Sequence, residues 1–325
     1  MSACNTGGGG GGPVKPKIAG RTGEVIVVMN KAQWNGQIGN QIKEVLAQAY
    51  PALPQFEPAF DLINIPPDAF SSTFQLNRNI VSLKLNTGAE PKFEIQRDVW
   101  AQPQLVINLY GSNEQEILAL IEENEQRLFD LFESAERKRI MQTYKSAKKT
   151  SIDQKLRMAH DVGLTVPSNY NLDVDTGNFV WISHETPETS QGIFIYYYDY
   201  TDENTFTSEY LIDKRNEFLR KYVPGPAEGS YMSTEQQYPV QFNEYSYQND
   251  RYIAVMRGLW RVENAFMGGP FLSITTLDEA RNRVVTFEGY AYAPRKDKRN
   301  FVRQLEAILF SFEIMPPEEN EGGEN

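Results

Sequence analysis

Arg257 and Arg261 stand four residues apart in a largely apolar run at 251–262, and the two-residue period of a β-strand puts both on one side of it. In the run Val284–Tyr292 the same period places Val285, Phe287 and Ala291 on one face and Thr286, Glu288, Tyr290 and Tyr292 on the other. Were the arginine face and the glutamate face to coincide, two guanidinium groups, a carboxylate and two phenols would meet beside Trp260. That mixture suits a carboxylate or a sugar, because a guanidinium fork binds carboxylate in bidentate fashion and flat rings stack on sugar faces. Arg257, Trp260, Arg261, Glu288 and Tyr290 are therefore the expected ligand-binding residues. The plainer alternative is a set of cross-strand ion pairs on a solvated sheet face.

Other chemistry finds less support. A nucleophile–histidine arrangement has only His160 and His184 to draw on, and no Gly-x-Ser-x-Gly elbow occurs. His160 falls at the expected C-terminus of a short helix, where an imidazole meets the negative end of the helix dipole, a structural role. His184, in Ser183-His184-Glu185, has no His or Cys partner at metal-ligand spacing. Gly268-Gly269-Pro270, and Gly36 with Gly39, lack the strand, loop and Lys-Ser/Thr context of a phosphate loop and read as turns. No catalytic residue, metal site or cofactor is expected. Tyr196-Tyr197-Tyr198-Asp199-Tyr200 sends tyrosines to both faces of a strand, where they bridge core and rim or form a stacking surface. An acid-rich chain can still pair two carboxylates at glycosidase distance, so a carbohydrate-active hydrolase or a glycan-binding protein is the alternative reading.

One cysteine in 325 residues excludes an internal disulfide framework, so Cys4 acts alone. It sits in Met1-Ser2-Ala3-Cys4, the small-residue pattern of a bacterial lipobox, followed by six glycines suited to a flexible tether. The charged and apolar regions of a signal peptide do not precede it. Between Cys4 and Gly23 there are three bases, Lys15, Lys17 and Arg21, and no acid, so the tether can lie against anionic headgroups. The expectation is lipidation at Cys4. The net charge of −11 repels nucleic-acid phosphates, and no apolar run reaches the ~20 residues that span a bilayer.

The elements that must position these residues follow from periodicity. Strands are expected at 24–30, 79–85, 92–100 and 104–110, with a helix over 35–50 carrying Ile38, Ile42, Val45 and Leu46. A helix capped by Ser112, with Gln115 three residues on, and a second capped by Ser151 fill the stretch to 162. Beyond lie strands near 163–172, 177–184 and 192–200, a helix over 208–222, and strands near 240–247, 251–262, 270–277 and 283–293. A last helix carries Phe301, Leu305, Ile308 and Phe312. Runs of strands closed by helices predict an α+β class, with antiparallel sheets covered by helices in two sandwich-like halves joined by a long helix. The expected divisions are a tether at 1–23, domains at 24–150 and 151–314, and an acidic tail at 315–325.

At Gly258-Leu259-Trp260, Phe266-Met267-Gly268-Gly269-Pro270-Phe271, Glu288-Gly289-Tyr290-Ala291-Tyr292-Ala293-Pro294 and Arg303-Gln304-Leu305-Glu306-Ala307-Ile308, the chain resembles an uncharacterised family of Bacteroidota lipoproteins, a domain of unknown function. The opening Arg21-Thr22-Gly23-Glu24-Val25-Ile26-Val27-Val28 and Trp34 resemble it too. The resemblance implies lipidation at Cys4 and an envelope location, and carries no activity. The second half is also similar in layout to the PsbP-like α-β-α sandwich, whose members bind partners and aid assembly. The expected function is a non-enzymatic, partner-binding or assembly role in the cell envelope. The expected partners are the membrane, through the anchor, and an envelope protein or glycan. The expected location is the outer membrane, preferentially its periplasmic face, since no acidic run follows Cys4.

Overall fold

The computed structural model describes residues 15–317, apart from 87 and 89. Cys4, the glycine run and the end of the acidic tail lie outside the described residues. The chain divides into two compact units, one built from residues up to Gln48 and Pro58–Ala135, the other from Ala49–Glu57 and everything from Glu136 onward.

The first unit contains β1 (Glu24–Val28), α1 (Lys31–Asn35), α2 (Gln37–Leu46), β2 (Asp61–Ile65), α3 (Ser72–Gln75), β3 (Asn79–Leu85), β4 (Lys92–Arg97), β5 (Leu105–Gly111), α4 (Glu114–Glu122) and the start of α5 (Glu125–Ser146). Its sheet has the order β2-β1-β3-β5-β4. β1 runs parallel to both β2 and β3, β3 runs parallel to β5, and only β4 is antiparallel. The antiparallel sheet expected for this half is corrected to a mixed one, within the α+β class. The cause is visible in β1 and β5, which are buried along nearly their whole length. Strands covered on both faces are those of parallel sheets.

The helix expected over 35–50 is α2, shortened to Gln37–Leu46 and preceded by the separate short α1. Asn30 caps α1 by accepting from the Gln33 amide, and Gly36 is extended, so α2 starts afresh. A Cβ on Gly39 would stand 2.0 Å from the Trp34 carbonyl oxygen, a close approach only glycine permits. The cap of α4 is Asn113 rather than Ser112: its side chain accepts from the Glu116 amide while the Glu116 carboxylate accepts from the Ser112 amide.

The second unit contains the end of α5, then α6 (Thr150–His160), β6 (Val162–Gly163), β7 (Asn171–Asp175), β8 (Phe179–Glu185), β9 (Ser190–Asp199), α7 (Ser208–Tyr222), β10 (Met232–Thr234), β11 (Gln241–Tyr247), β12 (Arg251–Val262), β13 (Gly268–Asp278), β14 (Arg283–Tyr292), α8 (Arg299–Leu309) and β15 (Glu313–Ile314). The strand expected over 163–172 is broken into pieces around Pro167, which has no amide to offer a ladder: Gly163 pairs with β15, Pro167 makes an isolated bridge with Lys148, and Asn171 and Leu172 open β7. The main sheet has the order β10-β12-β13-β14-β9-β8-β7, with β11 also on β12. All its pairings are antiparallel.

Helices cover both faces of this sheet. Against one face, Leu211, Phe218 and Leu219 of α7 pack on Phe194, Tyr196, Met256 and Trp260. On the other, a Cβ at Gly289 would touch Leu305 of α8, and the Phe287 and Phe312 rings lie 5.1 Å apart. The N-terminus of α8 is held from far along the chain: the Glu57 carboxylate accepts from the amides of Lys298 (2.7 Å) and Arg299 (2.8 Å).

Candidate functional site

Register decides which of the expected ligand residues share a surface. β12 pairs with β13 so that Arg257 faces Leu272, and β13 pairs with β14 so that Leu272 faces Gly289. Arg257 and Arg261 therefore lie on the α8 side of the sheet, with Gly289. Glu288, Tyr290 and Trp260, one residue out of phase, lie on the α7 side. The structure divides the five expected residues between two faces, and the single Arg/Glu/Tyr surface does not form.

Each fragment of that set has other company. Glu288 is fully buried and meets Arg215 of α7, whose Nε and Nη2 donate to its carboxylate at 3.0 and 2.8 Å. Arg215 Nη1 donates to the Thr234 hydroxyl at 2.8 Å, and the guanidinium lies 3.8 Å from the centre of the Phe271 ring. Burial pushes the Glu288 carboxyl up, against the pull of Arg215. Tyr290 stacks on Phe194 with ring centres 5.0 Å apart, and burial pushes its hydroxyl up. It lies so close over Gly192 that a Cβ there would come within 2.0 Å of the ring. Trp260 donates its indole N–H to the Ala291 carbonyl at 3.2 Å.

On the α8 side, Arg257 reaches Glu306 at 3.0 Å, and Arg137 binds the same oxygen at 3.0 Å. The Tyr50 hydroxyl donates to the other oxygen at 3.2 Å. Burial pushes the Glu306 carboxyl up, but the two guanidiniums and the phenol outweigh it and hold the group below the ordinary carboxylate range.

His160 is buried, with Nε2 2.9 Å from an Asp175 oxygen and Nδ1 3.1 Å from the Tyr197 hydroxyl, while Arg283 donates to its carbonyl at 2.7 Å. It fastens α6 to the sheet. His184 is on the surface and meets the Asn169 carbonyl at 3.0 Å. Tyr196 is buried in the α7 core, and Tyr198 packs against Phe218 there. Among the described residues no group of three His, Cys, Asp or Glu side chains is placed to hold a metal.

Part of the expected set stays accessible at the end of the sheet where β12 turns into β13. An open groove of about 830 Å³ runs around this hairpin, lined by Trp260, Arg261, Met267, Leu259, Tyr238 and Glu235. Phe266 at the hairpin tip is fully exposed, and Tyr238 is 55% exposed. Arg261 donates to Glu263 at 3.0 Å and lies 3.8 Å from Glu235. The Arg261 hydrogen bond holds the Glu263 carboxyl below its usual range. Aromatic rings around a half-exposed guanidinium can stack on a flat or apolar group and orient an acidic one. Of the expected set, Trp260 and Arg261 reach this groove. Tyr238, Phe266 and Glu235 were not among the expected ligand residues; the available signal was Phe266, an aromatic residue within a short turn between two long strands.

A family model described as a domain of unknown function, DUF4837, matches residues 149–311, half of the chain. The chain belongs to the DUF4837 family. A second model, a domain of unknown function named DUF8532, matches residues 19–145. The DUF4837 match takes in α7, the main sheet and α8, so every residue lining the groove except Pro54 falls inside it. The expectation of an uncharacterised family agrees at this level. No curated protein matches the chain. Among solved structures, the human StarD13 (DLC2) lipid transfer and protein localization domain overlaps 44% of this chain and 89% of its own at 8% identity. Its TM-score of 0.21 is too low to carry an argument. No helix among the described residues is long and apolar enough to cross a membrane, which leaves β-barrels unaddressed.

Proposed function

We propose that this DUF4837 protein is a lipid-anchored envelope protein whose second unit binds a protein partner at the groove around the β12–β13 hairpin. The observation that carries the reading is Phe266, a large apolar side chain wholly in solvent beside an aromatic-lined groove. Keeping a phenylalanine in water forgoes roughly 2 kcal/mol of burial, a cost that binding recovers. The other charged groups of the expected site are consumed internally on opposite faces of the sheet, Glu288 by Arg215 and Arg257 by Glu306. That arrangement favours recognition over hydrolysis by paired carboxylates. The α7-sheet-α8 layering supports, in layout, the similarity to PsbP-like partner-binding sandwiches. Lipidation at Cys4 and an outer-membrane, periplasm-facing location belong to the same proposal and rest on Ser2-Ala3-Cys4 and the glycine run.

The test is site-specific photocrosslinking in native membranes, with a benzophenone amino acid at Phe266 and, as control, at Met158, which is 87% exposed on a different element. A discrete protein adduct at 266, absent at 158 and weakened by Arg261→Glu, is expected. Equal or absent adducts at both positions, with tight binding of the protein on a glycan array, would replace this reading with the glycan one. Metabolic labelling with a palmitate analogue checks the anchor, and Cys4→Ser should abolish the label.

A further inference from the structure

The main sheet of the second unit has two edges, and they are finished differently. At the β7 edge the register shifts between Leu172 and Val174, and Asp175 is bound by Lys155 at 2.5 Å and by His160 at 2.9 Å. A bulge and a covering helix are standard protections against pairing with another chain. At the other edge, β11 pairs with β12 without a break from Gln241↔Arg257 to Tyr247↔Arg251. Within Gln241–Tyr247 there is no Pro, Lys or Arg, and Glu244 is the one charged residue. β10 pairs only with Trp260–Val262 at the far end of β12, so it leaves β11 uncovered.

The direction of the backbone groups on β11 follows from two hydrogen bonds. The Leu259 carbonyl accepts from the Glu235 amide at 2.8 Å, so odd-numbered residues of β12 turn toward the β10 and β11 side. The Val262 amide donates to the Met267 carbonyl at 2.9 Å, so even-numbered residues turn toward β13. Carried along the unbroken register, this alternation bonds Gln241, Asn243 and Tyr245 to β12. It leaves the amides and carbonyls of Phe242, Glu244 and Ser246 pointing away from the sheet. Among the described residues β11 pairs with no strand but β12, and no turn, loop or cap hydrogen bond of the backbone meets these three residues.

The same three residues carry their side chains on the α7 side, in line with Tyr252. There, beside the edge, lies a second groove of about 570 Å³ lined by Tyr200, Glu203, Phe206, Phe242, Glu244 and Tyr252. Phe206 meets Tyr252 edge-to-face at 5.0 Å, and the Tyr252 hydroxyl donates to Glu244 at 2.6 Å. A row of outward backbone groups thus runs next to aromatic walls and two carboxylates.

We propose that β11 is a docking edge for an extended segment of a partner protein, which adds to the sheet as a further antiparallel strand. Its alternate apolar or aromatic side chains enter the Phe206–Tyr252 groove, and a lysine or arginine faces Glu244 and Glu203. Main-chain bonds supply affinity and the groove supplies selectivity, as in other strand-addition complexes. Charge points to a basic partner segment rather than a second copy of this chain. Two β11 strands paired antiparallel about Glu244 would set like charges directly opposite each other, which is unfavourable. This inference concerns a surface separate from the hairpin groove and does not rest on that reading.

The experiment uses the full chain and two synthetic peptides that alternate valine or phenylalanine with threonine, one with a central lysine and one with a central glutamate. Fluorescence anisotropy should show the lysine peptide binding roughly fivefold tighter than the glutamate peptide. Glu244→Lys should reverse that preference, and Glu244→Pro, which removes an outward amide and leaves the bonds to β12 intact, should weaken both peptides about tenfold. Hydrogen exchange should slow at the amides of Phe242, Glu244 and Ser246 when the peptide is bound. Failure of both peptides to bind, or binding indifferent to Glu244→Pro, overturns the proposal. So does binding that leaves those amides unprotected. Concentration-dependent dimerisation that Glu244→Pro abolishes would also overturn it, by making a second copy the occupant.

Discussion

Arg215–Glu288 and Arg261–Glu263 are the same chemical pair in two settings of one sheet. In the first both side chains are wholly buried, the guanidinium shared with Thr234 and Phe271. In the second the arginine side chain is 41% exposed and the glutamate 25%. The first pair fastens α7 to the sheet and offers nothing to a ligand. The second sits in solvent at the lip of a groove, where it costs little to re-partner. Burial, rather than residue type, separates an internal brace from a recognition group. A charge pair taken from water is costly unless every partner is met, whereas an exposed pair is worth little either way.

The sharpest way to break this contrast is to remove one partner of the buried pair. Glu288→Gln should cost about 3–5 kcal/mol in denaturant unfolding, because Arg215 is left charged in an apolar setting. The double replacement Arg215→Met with Glu288→Leu should recover most of that loss. A Glu288→Gln midpoint close to wild type would mean that the pair is not the brace described.

Glu306 comes next. Glu306→Gln should cost roughly 2–3 kcal/mol at neutral pH, since Arg257 and Arg137 lose a shared carboxylate. The sign of its pH dependence follows from the depressed folded-state value. The carboxyl contributes stability above its ordinary pKa of 4.5, and that contribution is lost as pH falls through the lower folded value. The gap between wild type and Glu306→Gln in chemical unfolding should therefore close below about pH 4.5. A gap that stays constant to low pH would remove the carboxylate from the account.

Gly192→Ala tests packing rather than charge and should cost about 1–3 kcal/mol, because the new methyl displaces the Tyr290 ring. Near-UV circular dichroism should register the moved aromatic. At the small end, Phe266→Ala and Arg261→Ala should leave the unfolding midpoint unchanged while weakening partner capture. A shift in midpoint for either would move that residue to the structural side of the comparison.

Much of this was legible in the residue pattern. α7 spans the expected 208–222, and β12 the expected 251–262, because period and caps agree there. The two faces of β14 were also readable from its alternation. Register was not. Whether Arg257 and Glu288 share a side depends on how β13 is threaded between them, which turns on one residue in the hairpin at 263–267. In the first unit, the unbroken apolar runs of β1 and β5 carried the signature of parallel strands, but strand order alone suggested an antiparallel sheet. Arg215 and Glu306 had a readable signal that went unused. Each is a charge on the apolar stripe of its helix, Arg215 between Leu211 and Leu219, Glu306 beside Val302 and Leu305, and such positions usually mark a buried ion pair.

The Glu57 carboxylate that receives the first amides of α8 belongs to a segment made long before the rest of its unit. A fragment excised at 149–311, the span of the DUF4837 match, would begin its closing helix with two bare amides and no acceptor. The stretch that recurs across the family is therefore shorter than the stretch that must cooperate to fold. Expression of this unit calls for a chain that keeps residues 49–57, or for a short acidic loop grafted in their place.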